Sequence, residues 1–434
     1  MALKDHPFLV ADMKQDARAI FESAVQAVSP ATFLPPLLPV PSIDRSLVIF
    51  AAGKAAGSMA AATESHYRAM GVEPGRIRGL AIARHGYAMP LQHLAMREAG
   101  HPVPDQSGLE ATEALIALAR TVRPDELVVF LLSGGASANL VAPAGSVTLA
   151  DKQDLTRQLL RAGVPIDGIN TVRKHLSRVK GGRLAEIMKG AEIVTLALSD
   201  VPGDDLSAIG SGPTIPDPTS LADARAVIDR FQIVPLDAIR AALNDPANET
   251  PKPASPLFAR TRALVAARPK DAFEAATQEA VRRGYRVIDL GAECEGEARD
   301  IALMQAEAVN AAPRGERCAF LSGGELTVTI RGNGRGGPNQ EYALALAQAL
   351  NGRADTIALA ADTDGTDGGI GKPDDPAGAF IDPSTLERGR ALGLDAAAML
   401  ANNDSTAFFR HLDDLFVPGP TMTNANDLRV ILSR

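Results

Sequence analysis

The 434-residue sequence predicts an α/β protein of two domains, the first built on a doubly wound parallel sheet. Three observations carry that expectation. Runs that are apolar on both faces, such as LVIFAA at 47–52 and LVVFLL at 127–132, read as strands covered on both sides. Segments of helical period alternate with them. A polar stretch with four prolines, 244–260, separates two such series.

The elements follow in order. Ala17, Ile20, Phe21, Ala24 and Val25 give the N-terminal segment one apolar helical face. A Pro-rich connector covers 30–41, then strand 47–52, helix 55–70, strand 79–83, helix 109–121 and strand 127–132. Helices at 151–162 and 173–189 precede a fourth strand, 193–198. Beyond 244–260 the second series opens with strand 263–267, helix 272–283, strand 287–291, helix 296–311 and strand 318–321. LTVTI at 326–330 alternates apolar residues with Thr, the pattern of a half-exposed strand. Helix 339–350, strands 357–361 and 377–381, short helices around 384–412 and strand 428–432 complete the chain.

Composition excludes several classes. A net charge of −8 argues against a general nucleic-acid binder, and the absence of Trp leaves few stacking platforms. Two cysteines, Cys294 and Cys318, support neither a disulfide framework nor a Cys-based zinc site. Charges interrupt the N-terminus, so no signal-peptide core is expected, and no apolar run is long enough to span a bilayer. The expected location is the cytoplasm. His85, His101 and His175 fall near loops, without metal-ligand spacing.

In open α/β sheets ligands sit beyond the carboxyl ends of strands. AAGKAAG at 51–57 follows the first strand, with Gly53 for a turn and Lys54 at a helix entry, suited to an anion. It lacks the spacing of a Walker A loop, and a turn glycine beside a solvated lysine is the plainer reading. SGGASANL at 133–140 places Ser133, Gly134, Gly135 and Ser137 after the third strand. That makes a backbone nest for phosphate or carboxylate, or simply a tight strand–helix turn. After the fourth strand Asp200, Asp204 and Asp205 could hold Mg²⁺ or serve as turn residues.

Gly332, Gly334 and Gly337 fit GxGxxG ahead of a helix. A dinucleotide site would need a buried first strand, whereas LTVTI alternates. The candidate acid, Asp362, lies 25 residues past Gly337, where about 20 is usual. Arg331 and Arg335 instead offer guanidinium groups to anionic oxygens. Asp362, Asp364 and Asp367, in a Gly-rich loop past a strand, fit a divalent cation, a hydroxyl-binding site or ordinary Asx turns. The polar stretches 402–406 and 419–428 decide nothing alone.

Nine segments in order carry a family resemblance. They are AAGKAAGSM (51–59), EAGHPVPD (98–105), LLSGGASA (131–138), LSRVKGGRLA (176–185), LSDVPGDDLSAIGSGPT (198–214), SGGELTVT (322–329), GRGGPNQE (334–341), DTDGTDG (362–368) and GPTMTNANDL (419–428). Across nearly the whole chain the sequence resembles the class II glycerate kinases, glycerate 2-kinases with a C-terminal MOFRL domain, often labelled hydroxypyruvate reductases. The resemblance implies a Rossmann-like N-terminal domain over 1–250 and a mixed α/β MOFRL domain over 251–434, with the active site in a cleft between them. It implies transfer of the γ-phosphoryl group of ATP to the 2-hydroxyl of D-glycerate, with Mg²⁺. NAD(P)H-dependent reduction of hydroxypyruvate is the alternative. The family lysine falls on Lys54. Where many members read GGRNQE this chain has Pro338, so the family arginine falls best on Arg335.

With the loops above, this gives the expected site. Lys54, Arg335 and Asp200 are catalytic. Gly53, Ser133, Gly134, Gly135, Ser137, Gly334, Gly336, Asn339 and Glu341 bind substrate or phosphate. Asp364 and Asp367 bind metal. The expected partners are D-glycerate and ATP, with no nucleic acid and no membrane, and a homodimer is compatible with the sequence.

Overall fold

The structure, a computed structural model, describes residues 7–42, 44–350, 353–369, 372 and 374–434. Contacts divide the chain into two units, Pro30–Ala267 and residues 7–29 with Arg268–Arg434.

The Pro30–Ala267 unit holds six parallel strands: β1 (Leu47–Ala52), β2 (Ile77–Arg84), β3 (Ala95–Ala99), β4 (Leu127–Leu132), β5 (Glu192–Leu198) and β6 (Thr261–Ala267). Their spatial order is 3-2-1-4-5-6, the Rossmann order. β1 and β4 are buried along their whole length, as their uninterrupted apolar sequence requires. Leu115 and Ile116 of helix Gln106–Ala119, with Leu184, pack on Phe50, Phe130 and Leu132. β3 reads AMREA and alternates exposed with half-buried positions, which suits an edge strand and hides it from a search for apolar runs.

The second unit carries β7 (Arg286–Asp289), β8 (Gly296–Glu297), β9 (Cys318–Gly324), β10 (Leu326–Thr327), β11 (Thr356–Asp362), β12 (Gly378–Ile381), β13 (Leu415–Phe416) and β14 (Asp427–Ser433). Six of them form a mixed sheet in the order 13-12-11-14-9-7, and β8 pairs only with β10. Only β7 and β9 run parallel within the mixed sheet.

The division differs from the expected break at 250/251. The strand expected to open the second series is β6, an edge of the first sheet. The N-terminal helix Pro7–Ala27 belongs with the C-terminal residues. Its Lys14 pairs with Asp382 and Asp414 at 2.7 and 3.1 Å, and Asp16 accepts from Tyr285 Oη at 2.8 Å. Phe21 stands edge-on to Phe416 at 5.3 Å between centroids. The expected helix 173–189 is also two helices, Ile166–His175 and Arg183–Ile187. Gly181 and Gly182, at φ 58° and 84°, break it.

Candidate active site

Sheet order and register place the first group of residues. A strand order that reverses between β1 and β4 opens a crevice at their carboxyl ends. Ala52 and Leu132 are paired, so Gly53-Lys54 and Ser133-Gly134-Gly135 leave the sheet side by side. Lys54 N donates to Gly134 O at 2.8 Å, and Ala55 N donates to Ser133 Oγ at 3.0 Å. Gly53 sits at φ 118°, and a Cβ there would lie 2.3 Å from Ser133 Oγ, so the junction needs glycine.

Gly134 admits a carboxylate. A Cβ on it would stand 1.7 Å from Asp200 Oδ2, which puts Asp200 directly against this backbone. Asp200 is aimed by the end of β5, where the pairing with β6 shifts register after Ala197. Gly135, at φ 82°, faces Lys54 and His101, and a Cβ there would lie 3.2 Å from Lys54 Cγ. Ser137 Oγ is 2.7 Å from Ser211 Oγ, and Ser211 holds φ 60°, a strained value for a residue with a side chain. The structure thus brings together Gly53, Lys54, Ser133, Gly134, Gly135, Ser137 and Asp200.

A cavity of about 440 Å³ opens beside this loop, with Gly135, Ser137 and His101 in its wall. Lys152, Arg157, Arg173 and Lys180 line it, and none of its lining residues is Asp or Glu. Lys180 is buried and placed by the glycines that break the helix. Gly181 N and Gly182 N donate to Ser211 O and Gly212 O at 2.9 and 2.8 Å, and Lys180 Nζ donates to Ser137 O at 2.9 Å. Burial, then the charges of Lys152 and Arg173, holds the Lys180 ammonium well below the usual lysine range. Burial and Arg173 bring Lys152 down to about 7. None of Lys152, Arg173 and Lys180 stood among the expected site residues. LSRVKGGRLA contains Lys180 just before its two glycines, and that was the available signal.

In the second unit most of the expected residues have partners within the unit. Backbone donors of the 331–335 loop are already used. Arg331 N and Gly332 N donate to Asn403 Oδ1 at 2.7 and 3.0 Å, Asn333 N to Asn402 Oδ1 at 3.1 Å, and Gly334 N to Asn402 O at 2.9 Å. Arg335 N donates to Asp404 Oδ1 at 3.2 Å, while the Arg335 residue is exposed. Gly334 and Gly336 serve close packing: a Cβ would stand 2.4 Å from Asp404 Cβ or 2.2 Å from Ser405 Oγ. Of these two glycines, Gly334 has its N–H taken by Asn402. The strand that directly precedes 332–337, β10, is two residues long rather than the long apolar strand a dinucleotide fold places there.

Asn339 and Glu341 are buried in structural roles. Glu341 accepts from Arg299 Nε at 2.5 Å and from Asn403 Nδ2 at 3.0 Å. Asn339 Nδ2 donates to Asp427 Oδ1 at 2.7 Å. Asp367 caps the helix Pro338–Ala349. Its Oδ1 accepts from Asn339 N at 3.0 Å, and its Oδ2 accepts from Gln340 N and Nε2, both at 2.9 Å. Burial and the neighbouring Asp427 push it up to about 7. Both Asp367 oxygens are thus engaged at the start of this helix. Asp364, also buried, accepts from Thr366 N at 2.9 Å through Oδ1. No group of three or more His, Cys, Asp or Glu among the described residues is arranged to hold a metal. Asp205 closes an Asx turn onto Ser207 N at 2.8 Å. Both cysteines are free, and among the described residues no helix is long and apolar enough to cross a membrane.

A Rossmann-ordered sheet with a lysine, a carboxylate and a glycine nest at its switch point defines an enzyme acting on small anionic molecules. Comparison with known proteins narrows the class. Residues 16–244 match a domain of unknown function (DUF4147), and 318–427 match the MOFRL family. A D-glycerate 2-kinase from Thermotoga maritima is 37% identical over 423 residues, 96% of this chain and 97% of the relative. A relative from Agrobacterium vitis, named as a hydroxypyruvate reductase, is 43% identical over 426 residues, 96% of this chain and 94% of its own length. The crystal structure of glycerate kinase from Thermotoga maritima matches with a TM-score of 0.85 at 35% identity, covering 98% of this chain and 100% of that one. The chain belongs to the glycerate 2-kinase family, in which a DUF4147 region is followed by a MOFRL domain. It is a kinase.

Proposed function

We propose that the chain transfers the γ-phosphoryl group of ATP to the 2-hydroxyl of D-glycerate, giving 2-phospho-D-glycerate and ADP. The observation that carries this reading is the placement of Lys54 and Asp200 against one glycine loop at the β1/β4 crevice. Phosphoryl transfer is mostly positioning and charge stabilisation. The 2-hydroxyl oxygen attacks the γ-phosphorus, the bond to the β-phosphate oxygen breaks, and Asp200 takes the hydroxyl proton. Lys54 neutralises charge on the transferred group, helped by the Gly134 and Gly135 N–H groups. Around this loop, hydrogen bonds use the N–H groups of Lys54, Ala55, Ala136 and Ala138. Mg²⁺ ordinarily travels with nucleotide phosphates and needs few protein carboxylates.

Reduction of hydroxypyruvate is favoured by the names of two Agrobacterium vitis relatives. In the loop that would hold its dinucleotide, the N–H groups of Gly332, Asn333, Gly334 and Arg335 are engaged. A paired assay on one sample separates the readings. D-glycerate, ATP and Mg²⁺ should release ADP, with the product identified by ³¹P NMR, while hydroxypyruvate with NADH or NADPH should show no absorbance change. Oxidation of the nicotinamide without ADP release would reverse the conclusion.

A further inference from the structure

Charge is distributed unevenly around the 440 Å³ cavity of the Pro30–Ala267 unit. Of its four cations, Arg157 has an acidic partner, Asp154 at 3.2 Å. The other three have none among the described residues. Lys152 Nζ donates to Leu176 O at 3.2 Å, Lys180 Nζ to Ser137 O at 2.9 Å, and the Arg173 side chain makes no ion pair. Three like charges around one space repel one another. Folded proteins keep such groups together where an anion completes them.

We propose that this cavity holds the phosphate chain of the nucleotide donor, with Lys152, Arg173 and Lys180 as its cationic ligands. This rests on the kinase reading above. Three features select a polyphosphate over the acceptor's carboxylate. A single carboxylate carries one negative charge against three unpaired cations. The volume lies in the range of about 300–1,000 Å³ that serves drug-sized ligands, ample for a nucleotide. The wall also carries Val103, Val141 and Leu160, apolar surface of no use to a small hydroxy acid but suited to a base and ribose. The cavity shares Gly135 with Lys54, so the chain's terminal phosphate reaches the loop where Lys54 and Asp200 stand. Burial first, then the neighbouring cations, lowers Lys152 and Lys180, and an anion in the cavity would favour their charged forms.

The test uses the full chain and two variants, Arg173→Ala and Lys152→Met. Both positions are partly exposed, and circular dichroism checks each fold. Calorimetry with inorganic tripolyphosphate and with Mg-ATP should show at least tenfold weaker binding in either variant. In turnover, KM for ATP should rise about 10- to 100-fold, while KM for D-glycerate stays within twofold. A rise in KM for D-glycerate with ATP unaffected would assign the cavity to the acceptor and overturn the proposal. Unchanged binding and kinetics in a folded variant would also overturn it. If the native chain binds tripolyphosphate and ATP through Arg173 but never phosphorylates D-glycerate, the phosphate site stands and the acceptor reading falls. Should one variant not fold, the other carries the measurement.

Discussion

Two glycine-rich loops of similar composition meet opposite fates. Residues 133–137 follow a fully buried parallel strand, and the missing side chains of Gly134 and Gly135 let a carboxylate, Asp200, and the stem of Lys54 come close to the loop backbone. Residues 331–337 follow a two-residue strand, and the N–H groups of 331–335 are spent on Asn402, Asn403 and Asp404. Glycine serves ligand approach in the first loop and close chain packing in the second. The difference shows that a glycine pattern has no functional content until the partners of its N–H groups are known.

Four variants sharpen or break that contrast. The largest effect belongs to Lys54→Ala, which should lower kcat about 10²–10³-fold at an unchanged melting temperature. Turnover within threefold of the native rate would remove Lys54 from the chemistry. Gly134→Ala comes next. Its Cβ must displace the Asp200 carboxylate, a shift of about 1 Å that should cost roughly 10²-fold in kcat. Full activity there would mean that Asp200 has no catalytic duty.

Asn403→Ala probes the other loop. It strips the acceptor from Arg331 N and Gly332 N and the Nδ2 donor from buried Glu341. Each buried group left without a partner costs about 1–3 kcal/mol, so the urea midpoint should fall. An unmoved midpoint would mean that Asn403 does not hold the loop.

The smallest effect has the opposite sign. Lys152 sits at about 7 in the folded chain, against about 10.4 for an unfolded lysine. Between these values the unfolded chain binds the extra proton, so stability rises with pH from about 7 to 10. Below pH 7 the folded protein bears the full cost. Lys152→Met should therefore stabilise the ligand-free protein by about 1–2 kcal/mol at pH 6.5, discounted for partial exposure, and the gain should fade towards pH 10. A variant less stable than the native chain at pH 6.5 would show that the lysine is not strained.

Much of this was legible in the sequence. Apolar runs marked β1, β4 and β5, and the loops after them supplied Gly53, Lys54, the 133–137 nest and Asp200. These are the places where strand order and chain order cooperate. Edge strand β3 was hidden because exposure lets its sequence turn polar. Asn339, Glu341 and Asp367 looked functional because buried polar networks and active sites use the same residue types. Only their partners separate the two uses. Lys152, Arg173 and Lys180 are scattered over two helices and a turn, so no spacing rule joins them.

The helix Pro7–Ala27 packs with residues beyond 268, which makes Pro30–Ala267 an insertion within the other unit. During synthesis that helix leaves the ribosome well ahead of its partners, most of which follow more than 230 residues later. At about 5–20 residues per second, its apolar face waits roughly 20–80 s for Phe416. The inserted unit completes in the meantime, so a segment made before that unit finds its place only after it. Interrupted translation would release a finished first sheet attached to an unsheltered helix, a natural substrate for chaperones.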